Sequence, residues 1–168
     1  MSAGLRVIRA GSLSPGTAQT PGMVRSAAIP GDLVGAQALW MGRTVVRPGT
    51  SSGDHHHGAS ETGIYVVSGH PVFVFRDPDS GSLVRLETSP GDYVWVPPHV
   101  PHREENPSPD TEAVVVIARS TQEAIVSPCR SSDCSGLGSP AWKASSPWIQ
   151  VTHTSHRALF RGGSGSCG

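Results

Sequence analysis

The sequence predicts an all-β domain, and three observations support this prediction. Glycine and proline make up about a fifth of the 168 residues, with 20 Gly and 15 Pro, which disfavours long helices and favours short strands joined by turns. Strand-like segments recur at close spacing between residues 5 and 126. No segment between them has the length and period of a crossover helix, so a sandwich, a barrel or a jelly roll is expected.

Seven segments have the β-branched or aromatic composition that is typical of strands. They span residues 5–9, 38–47, 64–68, 72–76, 83–87, 93–96 and 112–119. Asp77, Pro78 and Gly81 separate two of them, and these residue types suit a tight reversal, so a hairpin is predicted there. Residues 10–31 contain three Pro and four Gly and are expected to form an arm on the outside of the domain.

Composition divides the chain into three parts. Residues 1–37 are expected to form an N-terminal arm with a first strand, and residues 38–126 the barrel. Residues 127–168 hold ten Ser, six Gly and three Pro in 42 residues, so they are predicted to be a disordered or non-native tail. All three cysteines lie in this tail, so no disulfide framework is expected in the core.

The charge balance limits the partners that this chain is expected to have. Thirteen basic and thirteen acidic residues give a formal net charge of zero, which argues against nucleic acid and against an anionic membrane surface. No apolar run approaches the roughly 20 residues that cross a bilayer, and residues 1–16 lack the apolar region of a secretory signal. A cytoplasmic protein is therefore expected.

Histidines are concentrated at two places in the predicted barrel. His55, His56 and His57 follow one another, and on an extended chain the first and third point to one face while His56 points to the other. His56 is therefore expected at the surface or behind the other two histidines. Glu61 follows four residues after His57, and His102 comes after a proline-rich turn about 45 residues further on. Such a set is typical of a metal site.

These residues resemble the first motif of the cupin superfamily, commonly written G-x5-H-x-H-x3or4-E-x6-G. The chain offers Gly49, His55, His57, Glu61 and Gly69 in that order. Seven residues separate the last two where six are usual, so the residue after Glu61 occupies the register in which the family's Glu often lies. A bulge would be needed for Glu61 to reach the metal.

The second cupin motif, G-x5-P-x-G-x2-H-x3-N, is matched by Gly91, Pro97, His102 and Asn106. His99 lies where the family usually has glycine, so the turn before His102 is expected to be built differently. Asn106 is expected to hydrogen-bond to backbone groups. The resemblance implies a double-stranded β-helix, the jelly-roll β-barrel of the cupins.

By this resemblance His55, His57, Glu61 and His102 would hold one divalent transition metal, such as Fe, Mn, Co, Ni, Cu or Zn, at the barrel mouth. A divalent ion with one carboxylate ligand keeps a net charge near +1 and favours an anionic or chelating small molecule. The leading hypothesis is thus a metal-dependent enzyme, a dioxygenase first and an isomerase or cyclase second. A non-catalytic binding or storage cupin is the alternative, and a jelly roll that the metal only stabilises is a third. Cupins commonly pair, so a homodimer is expected.

Several other side chains allow two interpretations. Arg47, Arg76 and Arg85 would clamp a substrate carboxylate if they faced inward, although strand arginines more often face solvent. Tyr65 or Trp95 would form a pocket wall, although strand aromatics are usually core residues. The neighbouring acidic residues 104 and 105 are interpreted as a solvated edge.

Overall fold

The computed structural model describes residues 4–122 and the backbone of residues 127–128. Strands dominate this part of the chain, as predicted, and the helical elements in it are a 3-10 turn (Ala10–Ser12) and one short helix, α1 (Gly31–Val34). The strands in chain order are β1 (Met23–Ala27), β2 (Trp40–Val46), β3 (Thr50–Ser51), β4 (His55–His56), β5 (Thr62–Ser68), β6 (Val72–Arg76), β7 (Leu83–Glu87), β8 (Tyr93–Val96), β9 (His102–Asn106), β10 (Ala113–Arg119) and β11 (Ser127–Pro128).

Two antiparallel sheets form a jelly roll. The five-stranded sheet has the order β1-β2-β10-β5-β8. The six-stranded sheet has the order β11-β4-β9-β6-β7, with β3 also paired to β9. The predicted tail, residues 127–168, lies outside the described residues except for the backbone of β11, which pairs with β4.

The predicted hairpin is confirmed between β6 and β7. Arg76 pairs with Leu83, and in the turn Asp77 N donates to Ser82 O at 2.8 Å while Gly81 N donates to Asp77 O at 2.8 Å. Gly81 has a φ of 69°, a left-handed conformation that glycine adopts without a Cβ penalty.

The strand predicted over residues 5–9 does not form, and a strand forms instead within the segment expected to be an arm. Residues 5–9 pair with no other segment in the described part of the chain, and Leu5 and Val7 are exposed. The first strand is instead β1, inside the segment predicted to be an arm, where it pairs with β2. Met23 and Ala27 point into the core, while the charge of Arg25 between them disguised the alternation in the sequence.

Alternation along each strand separates the core from the surface. The buried apolar side chains between the sheets are Ala27, Trp40, Ile64, Val66, Phe73, Val96, Val115 and Ile117. Tyr65 and Tyr93 lie on the outer face of the five-stranded sheet with their ring centroids 4.9 Å apart. No helix in the described residues is long and apolar enough to cross a membrane.

Candidate metal centre

Three buried histidines converge inside the barrel. His55 lies in β4 directly opposite His102, the first residue of β9, and His57 follows two residues later on the same side of the chain. Their ring centroids are 5.1 Å (55 to 57), 4.5 Å (55 to 102) and 4.9 Å (57 to 102) apart. One ring nitrogen from each lies within 4.8 Å of the other two. The side chains are 1%, 1% and 4% exposed, so the cluster is shielded from bulk water.

Backbone carbonyls orient two of these rings in the same way. His55 Nδ1 lies 3.1 Å from Gly53 O, and His102 Nδ1 lies 3.0 Å from Val100 O. Because a carbonyl oxygen only accepts, Nδ1 of each neutral ring carries the proton and Nε2 keeps its lone pair. Both Nε2 atoms are buried with no hydrogen-bond partner among the described residues. The rings therefore fit a metal, which takes neutral imidazole whose second nitrogen is hydrogen-bonded.

Electrostatics favour the neutral form of these imidazoles. Burial lowers the pKa of His55 to about 4, and the neighbouring His102 adds to that decrease while Glu104 opposes it. Burial also lowers the pKa of His102, again against the influence of Glu104. Metal binding requires unprotonated imidazole, so near neutral pH no proton has to leave these two side chains first.

Glu61 is not brought into this cluster. Its side chain is exposed, and its backbone is held to Ser120 by two hydrogen bonds of 3.0 Å. Thr62 is fully buried instead. Residues 62–65 pair with β8 in continuous register, so no bulge at the start of β5 turns Glu61 inward; the register shift of β5 against β10 lies at the other end of the strand. The cluster thus offers three imidazoles without a carboxylate, and a divalent ion there would keep its full charge of +2 rather than the +1 expected from sequence.

His56 and His99 lie outside the cluster. His56 points away from the other two histidines of its run, and its Nδ1 accepts a hydrogen bond of 3.0 Å from Gly58 N. His99 adopts a φ of 61°, the left-handed conformation that the family's usual glycine adopts freely. The turn therefore keeps a left-handed residue at this point. His99 N also donates to Gly58 O at 2.7 Å, which ties the two motif loops together.

Asn106 is used for structure, as expected from the sequence. Its Nδ2 donates to Val46 O at 3.0 Å and to Thr111 O at 2.8 Å. Its Oδ1 accepts from Ser108 N at 3.1 Å. The amide therefore fixes the loop after β9 to the end of β2, and it does not face the histidines.

The inward-facing interpretations of the other side chains are wrong. Arg47, Arg76 and Arg85 are exposed, and Tyr65 and Trp95 lie exposed on the outer side of their strands rather than in a pocket wall. Tyr65 and Trp95 occupy outward positions in the alternation of β5 and β8, and Arg47 follows the end of β2.

Three buried charged residues were missed by the sequence interpretation. Glu104 and Arg25 are 1% exposed and Arg119 is 2% exposed. Glu104 lies two residues after His102, so alternation alone places it on the same face; only Glu105 lies at the surface, 2.8 Å from Arg85. Arg119 lies two residues after buried Ile117 on β10 and therefore shares its inward face. A charged side chain usually indicates solvent exposure, so composition alone does not reveal these three buried positions.

Comparison with known proteins identifies the family. The family model of the cupin domain matches residues 42–118, a segment that contains both histidine motifs. Residues 42–118 are thus identified as a cupin domain. No curated protein matches the sequence.

Three solved structures illustrate the range of proteins with a similar fold. The polyketide cyclase RemF from Streptomyces resistomycificus has a TM-score of 0.59 at 21% identity, covering 77% of this cupin and 89% of that chain. Recombinant oxalate oxidase in complex with glycolate has a TM-score of 0.57 at 20% identity, covering 75% and 65%. Peruvianin-I, described as a cysteine peptidase from Thevetia peruviana latex, has a TM-score of 0.56 at 18% identity, covering 73% and 78%. At these identities the likeness concerns the fold.

Proposed function

We propose that this cupin is a metal-dependent enzyme acting on a small organic acid or another oxygen-chelating substrate. The convergence of His55, His57 and His102 in a buried cluster carries this proposal. A site with three protein ligands keeps a coordination position for water or substrate, as catalytic metal sites do. Imidazole donors suit Fe, Ni, Cu and Zn better than Mn, which prefers oxygen ligands.

The histidines would hold the metal, and the protein around them would orient the substrate and limit water. A bound metal would supply Lewis acidity or, if it is redox-active, dioxygen chemistry. Oxygenation is the first reaction class that we propose, and isomerisation or cyclisation is the second. The nature of the metal decides between them, since zinc has no redox chemistry.

Elemental analysis tests the metal site. The protein should be expressed without a histidine tag and purified without a chelator, alongside His57→Ala and a matched control, His56→Ala, which changes the neighbouring histidine outside the cluster. About one metal ion per chain is expected in the wild type and the control, and a loss of most of it in His57→Ala. Equal metal content in all three proteins would refute the assigned ligands, as would none in the wild type.

Turnover separates the enzyme from the alternatives. Oxygen consumption by the iron-loaded protein with small keto and hydroxy acids would support oxygenation. Conversion of such acids by the zinc-loaded protein without oxygen uptake would support isomerisation or cyclisation. Ligand-induced stabilisation with no turnover under either condition would favour the binding or storage cupin, and stabilisation by the metal alone would favour a structural role.

The homodimer and the cytoplasmic location stay predictions. Sedimentation equilibrium of the purified protein measures the first, and fractionation of the producing cell measures the second.

A further inference from the structure

The barrel contains three charged side chains that the metal site does not use. Arg25, Glu104 and Arg119 are almost fully buried, and burying a charge is costly unless it is paired. The ion pairs found in the described residues join Arg85, Arg103, Glu105 and Asp54 instead. The two guanidinium groups and the Glu104 carboxylate are therefore buried without a direct ion pair between them.

Arg119 is held in place while part of its hydrogen-bonding capacity is unused. It lies on β10 between Trp40 on β2 and Thr62 on β5, and its guanidinium carbon is 4.7 Å from the centroid of the Trp40 ring. Stacking of this kind fixes the plane of the group. Its Nε and Nη1 are buried with no hydrogen-bond partner in the part of the chain that the structure describes. A carboxylate oxygen can accept a charge-assisted hydrogen bond from either of these donors.

Arg25 has fewer unused hydrogen-bond donors than Arg119, because the protein contacts both of its terminal nitrogens. Its Nη1 donates to Thr20 Oγ1 and its Nη2 contacts Met23 Sδ, while its Nε is buried without a partner among the described residues. Burial lowers the pKa of Arg119 to about 10, with repulsion from Arg25 as the second cause. The two buried guanidinium groups therefore repel each other.

Glu104 supplies two hydrogen-bond acceptors inside the barrel. Both of its carboxylate oxygens are buried and accept no hydrogen bond from the described residues. Its charge acts on Arg25 and Arg119 and also on His55 and His102. The carboxylate thus lies in the electrostatic range of both the arginines and the histidine cluster.

We propose that the barrel binds a small hydroxy acid, with Arg119 binding its carboxylate and Glu104 accepting a hydrogen bond from its hydroxyl group. The inference rests on the proposed function, because it places this ligand beside the metal cluster. The two guanidinium groups outnumber the one carboxylate, and a divalent metal would add to this positive excess, which an anion reduces. A zwitterionic amino acid would also offer a donor to Glu104, but it has no net charge to offset the excess.

A cavity of about 570 Å³ is lined by Trp40 but by none of the three buried charged residues. Its lining includes Gly16 and Thr17 of the N-terminal segment, Pro30 before α1 and Gln122. Trp40 is thus shared between this cavity and the stacking contact that holds Arg119.

Three acids of the same carbon skeleton test the inference: lactate, propionate and alanine carry a hydroxyl, a hydrogen and an ammonium group at the same carbon. Isothermal titration of the purified protein should show lactate binding about 10-fold more tightly than propionate and alanine, since one hydrogen bond to a charged group is worth about that factor. Glu104→Gln should remove most of this preference for lactate. Preferential binding of alanine, or no binding of lactate at tens of millimolar, would overturn the inference.

Arg119→Met should weaken lactate binding by roughly 10- to 100-fold, because it removes the charge-assisted hydrogen bonding of the guanidinium group to the carboxylate. The matched control, Arg85→Met, removes an exposed arginine and should bind lactate as the wild type does. If Arg119→Met does not fold, Arg119→Lys keeps the charge without the planar fork and should still weaken binding about 10-fold. Unchanged binding in the Arg119 variant would overturn the inference.

Metal content measured on the same samples separates the two proposals. Arg119-dependent lactate binding by a protein that holds no metal would sustain the anion site while the enzyme proposal fails. A metal-loaded wild type whose lactate binding does not depend on Arg119 would refute the anion site alone.

Discussion

The depressed pKa of His55 predicts how the stability of the metal-free protein depends on pH. Burial lowers this pKa from 6.5 to about 4 in the folded state, so the unfolded chain takes up the proton first as the pH falls. The contribution is therefore complete above about pH 6.5 and is lost as the pH falls towards 4. One pKa unit corresponds to about 1.4 kcal/mol. The difference between the unfolded pKa of 6.5 and the folded pKa of about 4 therefore means that the folded state loses about 3 kcal/mol of stability when the pH is lowered to 4.

Urea denaturation of the metal-free wild type and of His55→Gln at several pH values measures this contribution. Titratable groups that do not interact with His55 titrate alike in both proteins, so they cancel in the difference between the two unfolding free energies. That difference should shift by about 3 kcal/mol against the wild type between pH 7 and pH 4. A difference that stays constant over this range would show that the folded protein protonates His55 as readily as the unfolded chain does, and would refute the reasoning.

Three further predictions concern the structure around the site. Asn106→Ala leaves the carbonyls of Val46 and Thr111 without their amide donor, and it should lower the unfolding free energy in urea by about 3 kcal/mol; a loss below about 1 kcal/mol would contradict this assignment. His99→Gly removes the strain of a positive φ and should raise stability by about 0.5 kcal/mol after the added chain entropy, so a lower melting temperature would count against it. Arg85→Ala breaks a surface ion pair of 2.8 Å and should cost less than about 1 kcal/mol, and nothing in high salt.

The fold was predictable where the turn residues and the alternation of apolar and polar residues along the strands indicate the same structure. The hairpin after β6 follows from Asp77, Pro78 and Gly81, and the two histidine motifs identified the cupin fold before any coordinates. The N-terminal strand was misplaced because strand pairing is a tertiary property. Residues 5–9 have a strand-like composition but no neighbour, whereas β1 has a neighbour and carries a charge in its middle.

The site was predictable only in part, for a related reason. Spacing on an extended chain correctly places His55 and His57 on one face, and the second motif supplies His102. One residue of register decides between Glu61 and Thr62, and the continuous pairing of residues 62–65 with β8 shows that Glu61 faces outward. Arg119 and Glu104 were missed because a buried charge depends on its surroundings, which composition does not reveal.

The strand β4, which carries His55, has few backbone contacts. β4 meets β9 in a single residue pair, His55 with His102. A metal held by His57 and His102 would join two positions about 45 residues apart and so act as a cross-link. By the chain-entropy relation used for disulfides, closing a loop of that length is worth about 4 kcal/mol at 25 °C. A metal at this site would thus stabilise the fold as a cross-link in addition to any role in a reaction.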